Sequence, residues 1–201
     1  MKNVIMIVII ACSVLFAQEA PKFEYVGANK CKVCHSSKKK GAQYKKWETT
    51  AHAKSYETLL TDEAKEVAKA KGIKEEPHLS GECLQCHVTG WEKGGYEIKD
   101  DTFWNPADDD RKGKKAAKRM LGLQSVGCEV CHGPGSAYKS MKVMDAIYEG
   151  TTYADSVGLL TPDEATCVQC HNEESPSYQP FNFEYRVKEI AHPYPPDMGL
   201  D

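Results

Sequence analysis

CKVCH (residues 31–35), CLQCH (83–87), CEVCH (128–132) and CVQCH (167–171) are four copies of one pentapeptide, and together they take eight of the chain's nine cysteines. Cys-x-x-Cys-His is the attachment signature of haem c. Its two thiols form thioethers to the porphyrin vinyl groups, and the adjoining imidazole reaches the iron as proximal ligand. Two intervening residues let one short helical turn present both thiols and the imidazole together. The thioether cysteines are therefore Cys31 and Cys34, Cys83 and Cys86, Cys128 and Cys131, and Cys167 and Cys170. The proximal histidines are His35, His87, His132 and His171. Paired cysteines also build zinc sites and thioredoxin-like redox pairs. Neither chemistry, nor an ordinary disulfide, asks for a histidine directly after every pair. The expected cofactor load is four covalently bound haems c.

The N-terminus fits an exported protein. Met1-Lys2-Asn3 gives a positive start, residues 4–17 are almost wholly apolar, and Gln18-Glu19-Ala20-Pro21 turns polar. That pattern is a secretory signal, too short for a comfortable membrane span. Cleavage after Leu15-Phe16-Ala17 leaves residues 18–201 as one mature domain, with a periplasmic or otherwise exported location. Haem attachment of this kind takes place outside the bacterial cytoplasm, so the leader and the motifs support one another. Cys12, the odd cysteine, lies in Ile9-Ile10-Ala11-Cys12, which loosely resembles a lipoprotein box. The apolar run continues through Val14-Leu15-Phe16, favouring loss of Cys12 with the leader; a membrane contact is expected only if Cys12 is lipidated.

With 41% hydrophobic residues, a formal charge of −3 and a mean hydropathy of −0.55, the chain has a lean apolar supply for its length. Porphyrins would supply much of the core, and folding is expected to depend on them. Haem propionates would make the loaded protein more acidic, and nothing points to nucleic acid as a partner. The motifs are spread along the whole chain at unequal spacing, which favours one domain over a solenoid. No glycine-rich nucleotide loop or Ser-His-Asp pattern accompanies them.

Histidine arithmetic limits the chemistry. Seven histidines are present, four are committed to the motifs, and only His52, His78 and His192 remain. Four irons with two imidazoles each would need one more. At least one iron must take methionine, another side chain, a partner's residue, water or nothing on its second side, which separates a pure electron wire from a protein able to bind a small ligand. His52 falls in residues 41–60, where Tyr44, Trp47, Ala51, Ser55 and Leu59 recur at helical spacing and predict one amphipathic helix. His192 follows Phe183, Val187 and Ile190, a short helix ended by Pro193, in aromatic surroundings suited to a porphyrin. His78 sits in a proline-and-glycine loop shortly before Cys83, where a solvated histidine and a ligand are equally good readings.

Further elements follow from local signals. Residues 62–71 predict a helix ending at Gly72, and residues 90–98 a small hairpin around Gly94-Gly95. Thr161 is placed as cap, with Pro162 in the first helical position, of a helix delivering Cys167. Residues 100–119 run from Asp108-Asp109-Asp110 into Arg111, Lys112, Lys114, Lys115, Lys118 and Arg119. This stretch, or Lys38-Lys39-Lys40 with Lys45-Lys46, is a candidate docking patch for an acidic redox partner.

WETTAHAKSYETL after the first motif, CLQCHVTGWEKGGYEI around the second, VGCEVCHGPG around the third and FEYRVKEIAH after the fourth resemble the tetrahaem cytochrome c-554 family. The resemblance implies a mainly α fold, a small multihaem cytochrome c architecture with a haem-packed core and little β structure. It implies haems in stacked and angled pairs, three of them bis-histidine ligated and the second five-coordinate. It places His52 opposite His132 and His192 opposite His171. The family's other distal histidine, shortly after GPG, binds the first haem; here GPGSAYKSMKVMDA has none, leaving Met141, Met144 and His78 as candidates opposite His35, with His78 the candidate that would instead close the His87 haem. The chain also has only Ser177-to-Pro180 where family members with an open second haem carry a longer insertion. The implied function is electron relay between redox partner proteins, with nitric oxide reduction at an open iron, or service as a subunit of a larger cytochrome assembly, as alternatives. Mass spectrometry of the mature protein should show four added haem groups on a chain beginning at Gln18; fewer than four would overturn the motif reading.

Overall fold

The computed structural model describes residues 23–194; the leader, its cleavage site and Cys12 lie outside the described residues. Eleven short α-helices follow in order: α1 (Ala28–His35), α2 (Gln43–Trp47), α3 (Ser55–Thr58), α4 (Asp62–Ala70), α5 (Gly81–His87), α6 (Asp101–Trp104), α7 (Arg111–Leu121), α8 (Cys128–His132), α9 (Met141–Tyr148), α10 (Glu164–Val168) and α11 (Phe183–Ile190). Single 3₁₀ turns at Lys38–Lys40, His52–Lys54, Pro77–Leu79 and Asp155–Val157 link some of them. No strand occurs among the described residues. The mainly helical expectation holds.

Local chemistry explains several boundaries. The single helix expected over residues 41–60 is broken between α2 and α3. Thr49 and Thr50 turn their hydroxyls back onto the carbonyls of Lys46 and Trp47, at 2.8 and 2.7 Å. Such back-bonding offers the chain an alternative to the helical ladder. The cap of α10 is Asp163 rather than Thr161: its carboxylate accepts from the Thr166 amide, and Thr166 completes a capping box. In the 90–98 segment Gly95 N–H donates to Gly90 O and Tyr96 N–H to Thr89 O, so the turn closes but no strand pair grows from it. The α4 and α11 helices lie where expected, with Thr61 and Asn182 accepting from Ala64 and Tyr185 N–H at their N-caps.

The apolar core is small. Leu59, Leu84, Val88, Tyr96, Met120 and Leu123 form one cluster, with Trp91, Phe103 and Trp104 packed on its edge. Leu84, inside the second motif, is fully buried, so this cluster anchors α5. Burying one such leucine contributes about 2 kcal/mol.

Polar ties do the rest. Glu129, within the third motif, is only 2% exposed. Its carboxylate accepts from the N–H groups of Val26 (2.8 and 3.1 Å), Gly27 (2.7 Å) and Gly135 (2.6 Å). Gly27 is the N-cap of α1, so one side chain fixes the helices of the first and third motifs against each other. Charge-assisted bonds of this kind are stronger than neutral ones. Burial raises the hydroxyl pKa values of Tyr25 and Tyr138, and the nearby Glu129 charge raises them further. Thr89, also buried, donates to Ser125 O at 2.6 Å and accepts from Gly127 N–H at 3.0 Å, joining the second motif's exit to the third motif's approach.

Replacing Glu129 with alanine strands three buried amide donors, each worth about 1–3 kcal/mol when unsatisfied. E129A should therefore lower the stability of the loaded protein by about 3–5 kcal/mol in urea unfolding. A loss below about 1 kcal/mol would remove Glu129 from its structural role.

Candidate haem sites

Each motif is delivered by a short helix. The helices α1, α5 and α8 all stop at the motif histidine, and α10 carries Cys167 but ends before Cys170.

Three of the four motif imidazoles are held by hydrogen bonds to oxygen. His35 Nδ1 meets Gln43 Oε1 at 3.0 Å, His87 Nδ1 meets the Ser55 carbonyl at 2.6 Å, and His132 Nδ1 meets the Leu160 carbonyl at 3.0 Å. A carbonyl can only accept, so Nδ1 carries the proton and Nε2 keeps its lone pair. That is the tautomer a metal-binding histidine needs, and the bond also fixes the ring's orientation. His171 is oriented differently, by stacking on Phe181 with ring centres 4.8 Å apart and planes 17° from parallel.

Ser55 is a hub that the sequence did not single out. Its hydroxyl donates to His87 O at 2.8 Å and accepts from Val126 N–H at 2.9 Å, while its carbonyl holds the His87 ring. The indole N–H of Trp47 adds a bond to Val126 O at 3.0 Å. The segment carrying His52 is thereby pinned between the second and third motifs. Glu129 was equally unmarked. The only signal for either residue was its position, a serine three residues after His52 and an acid inside a motif.

Two of the three remaining histidines face motif histidines. The ring centres of His52 and His171 are 5.9 Å apart, and so are those of His132 and His192. With a metal–nitrogen bond of about 2 Å and each ring centre about 1 Å beyond its nitrogen, trans imidazoles on one metal have centres about 6 Å apart. Both pairs fit an iron between them. The partners are exchanged relative to expectation: the resemblance placed His52 opposite His132 and His192 opposite His171. The physical reason is the folded path. The bond from Val126 N–H to His52 O fixes the His52 turn beside the approach to α8, and from there the ring meets His171. The chain after α11 runs against Gly41, where a Cβ would come within 2.7 Å of Pro193 O, and from there His192 meets His132. Gly41 has φ +91°, a conformation that suits glycine. Burial lowers the pKa of His52, His171 and His192, and proximity to His171, Arg186 and His132 respectively lowers them further. All three are favoured in the neutral form that ligates metal.

His78 lies on the Pro77–Leu79 turn against α5, half-buried, and its ring faces no other histidine among the described residues. Met141 is 63% exposed, whereas Met144 is half-buried on the same helix. Asp145, beside Met144, reaches Lys40 at 3.9 Å, which brings α9 alongside the segment after the first motif.

The thiols show which motifs are neighbours. The Cys31 thiol donates to the Cys128 sulfur, raising the Cys31 pKa and lowering that of Cys128. Cys170 donates to Cys86, whose pKa falls to about 7. Burial lifts Cys131 to about 11, and the adjacent Cys167 contributes. The spatial order is thus first, third, fourth, second. Among the described residues no group of three or more histidine, cysteine or acidic side chains forms a cage for a bare metal ion. The donor set fits planar groups held between helices, each by two thiols and axial side chains.

The chain is similar to known proteins. The family described as cytochrome c554 and c-prime matches residues 30–106. Cytochrome c-554 of Nitrosomonas europaea is 33% identical over 196 residues, covering 86% of this chain and 70% of that protein. The structure of reduced cytochrome c554 from the same organism superposes with a TM-score of 0.52 at 29% identity, covering 83% of this chain and 78% of that one. Four Cys-x-x-Cys-His segments on helix ends, two facing imidazole pairs and these matches together place the chain in the cytochrome c-554 family of multihaem c-type cytochromes.

Proposed function

We propose that the protein is an exported tetrahaem cytochrome, folded as a single mature domain over residues 18–201, that relays electrons between redox partner proteins. The observation that carries this reading is the pair of imidazole–imidazole separations of 5.9 Å, set within a continuous spatial order of four motifs. Each haem, when bound, supplies a one-electron iron couple. The chain supplies attachment, axial ligands and spacing. Cys31 and Cys34, Cys83 and Cys86, Cys128 and Cys131, and Cys167 and Cys170 hold the four groups, with His35, His87, His132 and His171 on the proximal sides. His52 serves opposite His171, and His192 opposite His132. The carbonyls of Ser55 and Leu160 and the amide oxygen of Gln43 hold protons on Nδ1, strengthening the donor nitrogen on the other side of each ring. Neighbouring motifs meet at their thiols, so an electron crosses the chain in the order second, fourth, third, first, or the reverse.

Opposite His35 we take Met144 as the ligand, with His78 the alternative. Met144 is half-buried on α9, and the Lys40–Asp145 contact brings that helix to the first motif's flank. A methionine there raises the potential of that centre relative to a bis-histidine one. His87 has no facing histidine among the described residues. That observation favours a second reading for this one position: reversible binding, and reduction, of a small nitrogen oxide at a centre with an open side. The donor and acceptor stay assigned by class alone, as one-electron redox proteins.

Electron paramagnetic resonance of the oxidised protein should show low-spin signals together with one high-spin ferric signal that changes on adding nitric oxide. Four low-spin signals without response to the ligand would remove the second reading and leave the relay. His52→Ala and His192→Ala should each convert one further centre to high spin, and retention of its low-spin signal by either variant would refute that axial assignment. Met144→His should lower one reduction potential, by on the order of 100 mV in a spectroelectrochemical titration, with Met141→Ala leaving all four unchanged. If His78→Ala rather than a Met144 variant shifts that centre, His78 is the ligand.

A further inference from the structure

The first and fourth motifs lie in segments of opposite charge. Residues 28–47, which hold the first motif, contain seven lysines and no acidic residue. Residues 143–185, which hold the fourth, contain eight acidic residues and neither lysine nor arginine. All seven lysines are exposed, and so are Asp163, Glu164, Glu173 and Glu174.

At the lysine end the first motif is at the surface. Val33, between its two cysteines, is 80% exposed, and Cys34 is exposed beside it. Of the lysines, Lys32 lies over the Tyr44 ring at 5.2 Å and Lys40 reaches Asp145 at 3.9 Å. The acids facing this patch are Glu48, which acts on Tyr44, and Asp145. The turn carrying Lys38 and Lys39 and the α2 helix carrying Lys46 both pack against α1, and all three lysines are exposed.

The other basic stretch has a different character. Residues 100–119 carry six cations but five acids, nearly in balance. Arg119 is committed to the carbonyls of Tyr25 and Gly94, and Lys114 to Asp108. That segment holds no motif.

We propose that the lysine face around residues 30–46 is the docking surface for an acidic one-electron redox protein, which exchanges electrons at the first motif, while the acidic segment around the fourth motif repels the same partner. The proposal rests on the relay reading. Charge steering of this kind raises association rates and weakens with salt, and electron-transfer contacts are small enough to be set by such a patch. The transfer moves one electron from the partner's reduced centre to a ferric centre of this protein, with no bond made or broken.

The test uses the loaded protein and a plant-type ferredoxin, a small acidic electron donor. Calorimetry with oxidised ferredoxin reads binding, and stopped-flow mixing with reduced ferredoxin reads transfer. Binding and rate should both fall about tenfold between low and physiological salt. Lys38→Glu/Lys39→Glu/Lys46→Glu should lower both about tenfold at low salt, whereas Lys112→Glu/Lys115→Glu/Lys118→Glu stays within about twofold. Reduction by a neutral flavin semiquinone should be equal in all three proteins, which also shows that the variants keep their haems. The proposal is overturned if the second triple variant is the impaired one, or if neither is. It is also overturned if the first loses only binding to anionic lipid vesicles, or only self-association in sedimentation, while ferredoxin binding is retained. Failure of the unaltered protein to take up electrons from the neutral semiquinone would instead refute the relay reading itself.

Discussion

The buried carboxylate of Glu129 is the interaction on which the arrangement of motifs depends. It gathers amide donors from Val26, Gly27 and Gly135, residues from two distant parts of the chain. A carboxylate in that position tolerates burial because backbone N–H groups replace its hydration. The consequence is geometric. Gly27 opens the first motif's helix and Glu129 lies inside the third motif, so those two attachment segments cannot shift independently. The contact between Cys31 and Cys128 follows from that coupling.

The second constraint is orientation of short helices. A helix of five to eight residues has little stability of its own in water. The motif helices are instead held at their ends by bonds from the histidine ring and by ties such as the reciprocal one between Ser55 and His87. The apolar cluster around Leu84 supports only the second motif directly. A protein built this way places its precision in the imidazole shell, where axial geometry and spacing decide redox behaviour, rather than in a large hydrophobic interior. Its helical content and short connections belong with that division of labour.

Some local elements escaped the sequence for identifiable reasons. Periodicity over residues 41–60 was real, but Thr49 and Thr50 compete for their own carbonyls, a choice that propensity and apolar spacing do not reveal. Thr161 and Asp163 are both good caps, and the capping box with Thr166 decided between them. Glu129 looks like an ordinary surface acid in the sequence and Ser55 like one position of a helical stripe; their donors come from segments up to 103 positions away for Glu129 and 71 for Ser55. The charge asymmetry between residues 28–47 and 143–185 was in the composition all along. Its meaning needed the surface position of the first motif, at Val33 and Cys34.

By itself the sequence determined the family, the helical character and the shortage of imidazoles, because those depend on residue type and near spacing. Only the tertiary structure decided that His52 faces His171 and His192 faces His132. An imidazole and its opposite number must meet within about 6 Å, yet they are separated along the chain by loops whose direction no local rule specifies. That direction is set by the Val126–His52 backbone bond and by the close passage of Pro193 over Gly41, contacts that exist only once the chain has folded.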